Sequence, residues 1–347
     1  MRHRVFQRIL QAGTVHRTFA LTLALLAVTF AALAVAALLV GSAPLDVIRS
    51  LLEGALQGRF RMISTLIQTS AVVMTGLAVL LPYQVGFFNV GGQGQLEVGA
   101  LAGVAITLAA SGPALLVIPL SFTLAALAGV VAVAVPLLLR IKRSSSEVTT
   151  TIMMNAACIY LVLGIITGPL KDPAAFYGTT HPVPNAYQLP VVPGAVGLHI
   201  GVWLVLAITI GLHLVMTRTV FGVKLRAVGG NRPAAIAAGI PADRILAIAV
   251  ITGGALAGLA GGMQALGVVH RVAEGWAKPW GFAGISAALL GGSPLGVVPV
   301  AFVFAILETG ARHMQAMTGV PVAVVYLLQG LPVLTFLGLR ATRYFTR

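Results

Sequence analysis

The chain has 347 residues, of which 58% are hydrophobic and 9% charged, with a formal net charge of +14 and a mean hydropathy of +0.99. A soluble domain carries about 25% charged residues, so this composition excludes an ordinary water-soluble fold, and the length divides into membrane crossings of roughly 20 apolar residues. The basic excess does not describe a nucleic-acid surface either, because Lys and Arg cluster in short gaps between apolar runs, the placement that orients membrane helices rather than one that tracks phosphates.

Arg2, Arg4, Arg8 and Arg17 precede an apolar stretch from Thr18 to Val40. That stretch is longer than the roughly 7–15 residues of a signal-peptide core, so it reads as an uncleaved first span, 18–41. Further spans are predicted at 62–82, 86–110, 114–139, 148–168, 199–217 and 245–268. Between the first two, Leu45, Ile48, Leu51, Leu52, Ala55 and Leu56 recur at helical spacing with Asp46, Arg49 and Glu53 interleaved. This predicts a short amphipathic helix on the outer surface. Cys158 lies within an apolar run and reads as a small packing residue. A single cysteine excludes an internal disulfide and a cysteine metal cluster.

With the N-terminus inside, the segments on the cytoplasmic side hold fifteen of the 22 basic residues. They are 1–17, which reads as a cytoplasmic N-terminal segment, then Arg140 to Arg143, the loop 218–244, and a tail at 340–347 with Arg340, Arg343 and Arg347. A cytoplasmic C-terminus requires a break in the last third. Gly291-Gly292-Ser293-Pro294 supplies it: Gly-Gly ends a helix, Ser caps the next, and Pro suits its first turn. Residues 282–310 are therefore expected to enter and leave as a broken or re-entrant pair before a last span at 320–339. The expected fold is an all-α integral membrane protein, a polytopic bundle of about ten helical membrane segments, not all of full length. It forms a single transmembrane domain over 1–347.

Four stretches carry polar or small residues where chemistry or docking is expected. In PYQVGFFNVGGQGQLEVG, from Pro82 to Gly99, the polar residues Gln84, Asn89, Gln93, Gln95 and Glu97 sit between apolar flanks. Polar side chains at membrane depth usually face a bundle interior or a pathway. The stretch therefore either lines a solute route or forms a turn with an amide-capped helix start. Thr151 and Asn155, with Glu147 and two further threonines, open the fifth span. They serve either helix packing or the same route. Gly254, Gly258 and Gly262 form a stripe of small residues that lets helices approach closely. In FGVKLRAVGGNRPAAIAAGIPADR, from Phe221 to Arg244, Asn231 and Pro233 can start a helix that Gly239 and Pro241 must end. Its roughly six residues would be near 9 Å long. Its small face, Ala234, Ala235, Ala237 and Ala238, suits docking into a partner's groove, and Asp243 is placed to cap the next span. Trp276 and Trp280 stand where aromatic residues anchor at a membrane interface, with stacking on a base as the alternative.

The chain has no G-x-x-x-x-G-K-[ST] phosphate loop, no H-E-x-x-H and no acid/base pair inside the spans, so it is read as a non-catalytic subunit. The sequence resembles permease subunits of ABC importers of the group serving ribose-like sugars, branched-chain amino acids and nucleosides, and is most similar to the nucleoside branch. The residues that carry the resemblance are GFFNVGGQGQ at 86–95, EVTTTIMMN at 147–155, GPLKDP at 168–173, the stretch from Phe221 to Ile240, and GISAALLGGSPLG at 284–296. The resemblance implies a type II-like importer permease in the plasma membrane, with both termini cytoplasmic. Its implied partners are a cytoplasmic ABC ATPase that binds ATP and Mg, a second permease (a paralogue or a second copy of this chain) and an extracytoplasmic solute-binding protein, with membrane lipid around it and no nucleic acid. No cofactor or metal is assigned to this chain. The 218–244 loop becomes the ATPase-coupling loop, with Gly229, Gly230, Asn231, Pro233, Ala234, Ala235, Ala238 and Gly239 as its site. Asn89, Gln93, Gln95, Glu97, Thr151 and Asn155 become the candidate translocation path. Gln93 departs from the family pattern, which has Glu there; Glu97 follows one helical turn later. A nucleoside is the expected solute, a pentose or simple sugar the alternative, and an ion-coupled secondary carrier the reading from another class.

Overall fold

The computed structural model describes residues 27, 31–192, 197–277, 279–327 and 329–330. The expected N-terminal segment 1–17, the tail 340–347 and parts of the first and last spans lie outside the described residues. Among the described residues the regular elements are helices, with two isolated strand-type bridges, Thr179–Ala273 and Val191–His199. Among the described residues, six helices are long and apolar enough to cross a membrane: Arg59–Tyr83, Ala114–Arg143, Glu147–Thr167, Gly201–Arg218, Ala242–Val269 and Pro294–Thr318. Two compact units form, one from Met1–Val72 with Ser286–Arg347 and one from Val73–Ile285; the division falls within the helices α3 (Arg59–Tyr83) and α11 (Trp280–Gly291).

In the first unit, α1 (Ala31–Val40) meets α2 (Pro44–Leu56) at a bend of 116°. The expected amphipathic helix is therefore present as α2, but it does more than lie on a surface. Its Val47, Leu51 and Ala55 side is buried in a cluster with Leu307, Ala311 and Met314 of α12 (Pro294–Thr318). A Cβ on Gly54 would come within 2.5 Å of the His313 Cβ, so only glycine permits this approach. Leu45 stays exposed, because the buried stripe follows positions 47, 51 and 55. The break before α12 forms where the sequence places it. Ser293 Oγ accepts a hydrogen bond from Gly296 N at 3.1 Å, Pro294 opens the helix, and Gly292 takes a φ of +61°. The second arm is a full crossing of 25 residues that runs on to Thr318, past the expected end at 310. It stops at Gly319, with φ +72°.

In the second unit, α10 (Ala242–Gln264) lies against both α4 (Gly92–Ala109) and α5 (Ala114–Arg143). The glycine stripe is the seam. A Cβ on Gly99 would sit 2.4 Å from the Gly258 Cα, and one on Gly258 would sit 2.0 Å from the Ala125 carbonyl oxygen. Backbone meets backbone on both sides, so packing is the stripe's role. α6 (Glu147–Thr167) covers α4 and α5. The outward faces of α5 (Leu116, Leu127, Val131), α6 (Met153, Leu161) and α7 (Gly201–Arg218; Leu206, Leu214) are apolar and exposed, and apolar faces of this extent need hydrocarbon around them.

The basic 218–244 loop is mostly helical. Val220–Gly230 forms α8, with the Thr219 hydroxyl accepting from Gly222 N, and its Leu225 and Val228 are buried. The six-residue helix follows as α9 (Arg232–Ala237), capped by the Asn231 Oδ1 accepting from Ala234 N at 3.0 Å. Asp243 does not cap α10. It sits inside the first turn and pairs with Arg232.

Candidate functional site

The polar stretch after α3 is a tight turn locked by its own amides. Asn89 and Gln95 exchange two hydrogen bonds, Asn89 Nδ2 donating to Gln95 Oε1 at 3.0 Å and Gln95 Nε2 donating to Asn89 Oδ1 at 3.2 Å. Asn89 Oδ1 also accepts from Gly91 N at 3.0 Å. Both side chains are buried. Gln93 is bridged in two directions: its Oε1 accepts from Gly281 N at 2.9 Å, and its Nε2 donates to Glu97 Oε1 at 3.1 Å. The Gln93 amide thus joins the start of α4 to the start of α11.

The opening of α6 completes the lock. Asn155 Oδ1 accepts from Gly94 N at 2.6 Å, and Thr151 Oγ1 accepts from Val90 N at 3.2 Å while donating to Glu147 O at 2.7 Å. A Cβ on Gly94 would meet Cys158 Cβ at 2.8 Å, so the small Cys158 fits this close contact. The structure brings all six candidate path residues into one hydrogen-bonded patch between α4 and α6. Asn89, Gln93, Gln95 and Thr151 are buried, Asn155 and Glu97 partly so. Glu97 is the member that opens on a void. It lines a cavity of 340 Å³ together with Ile159, Val162 and Ile166 of α6 and Glu274 and Trp276 from the segment after α10.

That segment is tied to the long coil between α6 and α7. Thr180 N donates to Val272 O at 2.9 Å, Val183 N to His270 O at 2.7 Å, and Glu274 N to Gly178 O at 2.8 Å. Tyr187 Oη reaches the α4–α5 turn, accepting from Gly112 N at 3.2 Å and donating to Gly112 O at 3.0 Å. His199 is wholly buried beside Gly201 and Gly267, and among the described residues neither ring nitrogen has a hydrogen-bond partner. Burial, with His270 nearby, lowers its pKa to about 4.

Of the coupling-loop residues, Asn231, Pro233, Ala234, Ala238 and Gly239 are exposed around α9, and Gly230 is exposed beside it. Two turn inward. Ala235 is buried in the chain's own core with Phe87, Leu225, Val228 and Ile245. A Cβ on Gly229 would collide with the Gln84 carbonyl oxygen at 1.8 Å. The protruding apolar side chain of α9 is Ile236, 55% exposed, which reading the helix as a run of small residues passes over. The cavity was equally hidden, since nothing in the sequence places Trp276 against Glu97, 179 positions earlier.

The profile of the family described as "Branched-chain amino acid transport system / permease component" matches residues 61–337. The chain is 30% identical to the glucose ABC transporter permease protein TsgB13 of Haloferax volcanii, over 84% of this chain and 80% of the relative. It is 33% identical to the guanosine ABC transporter permease protein NupP of Bacillus subtilis, over 81% of this chain and 82% of the relative. It is 30% identical to the nucleoside ABC transporter permease protein NupB of Lactococcus lactis, over 77% of each. No solved structure matches the chain. With its apolar crossing helices and its polar core between α4 and α6, the chain belongs to this family of ABC-transporter permeases and is a multi-pass membrane protein.

Proposed function

We propose that this permease carries a nucleoside inward through the plasma membrane, powered by a cytoplasmic ABC ATPase that docks on α9 and supplied by an extracytoplasmic solute-binding protein. A second permease subunit, a paralogue or another copy of this chain, completes the pathway. Both termini and α8–α9 face the cytoplasm in this reading, which follows from the positive residues around them. The observation that carries it is the continuity between α9 and the polar patch. Ala235 and Phe87 share one buried cluster, and Phe87 leads two residues later into the Asn89–Gln95 pair. A push on α9 meets close-packed side chains and is passed on to the turn that opens α4, since packed cores shift between discrete arrangements rather than deforming.

The nucleoside assignment is supported by the guanosine and nucleoside relatives and by the shortage of buried charge, which suits a neutral polar solute. The similarity to a glucose permease supports a simple sugar as the second reading. Uptake into cells expressing the full transporter separates them. Labelled guanosine is expected to accumulate, excess glucose to leave that uptake unchanged, and replacement of the ATPase's phosphate-loop lysine to abolish it. Accumulation of glucose without any nucleoside overturns the solute assignment, and uptake that survives the ATPase lesion but follows an ion gradient makes the chain part of a secondary carrier.

A further inference from the structure

We propose that the cavity beneath Glu97 and Trp276 is a solute subsite that reads the base of the nucleoside, with Glu97 accepting from adjacent N–H donors on the base edge. The inference rests on the nucleoside reading above and deepens it. At 340 Å³ the cavity lies within the ~300–1,000 Å³ range of small-molecule sites. One wall is apolar, formed by Ile159, Val162 and Ile166, and Glu97, Trp276 and Glu274 line the space from other elements.

Glu97 is the first. Its Oε1 already accepts from Gln93, while Oε2 has no hydrogen-bond partner among the described residues. A carboxylate oxygen without a donor at membrane depth is costly, and a solute that brings donors offsets that cost. Trp276 is the second. Its indole Nε1–H is buried with no acceptor among the described residues, and its ring stands edge-on to Trp280, with centroids 5.9 Å apart at 65°. The ring offers an aromatic face to a planar ligand and one donor.

These groups define a polarity. An ionised carboxylate only accepts and an indole only donates, so the ligand must bring donors to Glu97 and an acceptor to Trp276. A guanine-type edge presents a ring N–H beside an exocyclic NH₂, two parallel donors that a carboxylate accepts bidentately, as it does from a guanidinium. An adenine edge pairs its NH₂ with a ring-nitrogen lone pair, which would face the carboxylate's own lone pairs. The site therefore favours guanosine, then inosine with its single ring N–H, over adenosine. Glu274, exposed at the same cavity, adds negative charge that disfavours a phosphorylated nucleoside.

The test is competition of guanosine, inosine, adenosine and guanosine monophosphate for uptake of labelled guanosine by the complete transporter. Wild type, Glu97→Gln and Trp276→Phe are compared, and permease level in the membrane is measured for each. Glu97→Gln keeps an oxygen for Gln93 but puts an NH₂ group where the base offers donors. It is expected to lower apparent guanosine affinity by about 5- to 150-fold, the range for losing one bidentate base contact, and to narrow the gap to adenosine. Trp276→Phe keeps the aromatic face, removes the donor, and should weaken guanosine and inosine together. If wild type moves guanosine and neither variant changes the guanosine-to-adenosine ratio, the base-reading subsite is wrong while the nucleoside reading stands. If wild type moves no nucleoside, the parent reading fails and the subsite with it. Should Glu97→Gln fail to reach the membrane, Trp276→Phe decides: an unchanged profile overturns the proposal.

Discussion

At residue scale, His199 ties the coil before α7 to the end of α10. Its ring packs against Gly201 and Gly267, and both nitrogens are buried without hydrogen-bond partners among the described residues. The ring is therefore held neutral, with its pKa lowered from 6.5 to about 4 by burial and by His270, whose own pKa is also lowered by burial. An unfolded chain takes up this proton near pH 6.5 and the folded one only near pH 4. Between those values the unfolded state binds more protons, so stability falls as pH falls. The loss is about 2 kcal/mol by pH 5 and levels off at about 3 kcal/mol below pH 4. Thermal unfolding of the purified protein followed from pH 7.5 to 5 should show this decline, and His199→Leu should flatten it. A wild-type profile as flat as the variant's would mean that the buried ring is not neutral. The amides tell a related story. The sequence marks Asn89, Gln93 and Gln95 as unusual at membrane depth, but their partners are set by a turn whose geometry no residue pattern encodes.

At the scale of an element, the bounds of α9 were legible: Asn231 caps it, Pro233 sits in its first turn, and Gly239 ends it with φ +78°. What was hidden is which side faces out. Six residues make fewer than two turns, and with alanine at four positions between 234 and 238 the sequence offers no polar–apolar contrast to orient the helix. Packing against Leu225 and Val228 decides it, turning Ala235 in and leaving Ile236, Ala237 and Ala238 out. Ile236→Asp should therefore leave insertion intact and weaken recovery of the ATPase with the permease by about 10- to 150-fold, the equivalent of one apolar anchor worth roughly 1.5–3 kcal/mol. Ala235→Trp should act differently, overpacking the permease's own core by about 1–3 kcal/mol and lowering its yield before any docking is tested. Co-purification with membrane levels as the control separates the two. Full ATPase recovery with Ile236→Asp would remove α9 as the docking element.

For the whole molecule, orientation is the quantity to measure. In a Cys158→Ala background, a cysteine at Ala174, in the exposed coil after α6, should react with an impermeant thiol reagent added outside intact cells. One at Ala237 on α9 should react only after the membrane is opened, and one at Arg343 should behave like Ala237. Labelling at Arg343 from outside alone would reverse the cytoplasmic C-terminus and undo the broken-pair reading of 282–310.

Composition and periodicity by themselves determined that the chain lives in a bilayer, where most of its described crossing helices run, and where the chain breaks before α12. These depend on local chemistry: apolar length against bilayer thickness, glycine and proline at helix ends, and charge between spans. They also marked the α10 glycines as a packing stripe, because close approach of helices leaves a regular trace in sequence. Only the tertiary structure decided that the α4 amides are occupied with one another, that Ala235 belongs to the core, and that Trp276 meets Glu97 across a cavity. Contacts of that kind join residues far apart in the chain, through coil segments whose paths follow from packing rather than from any repeating pattern.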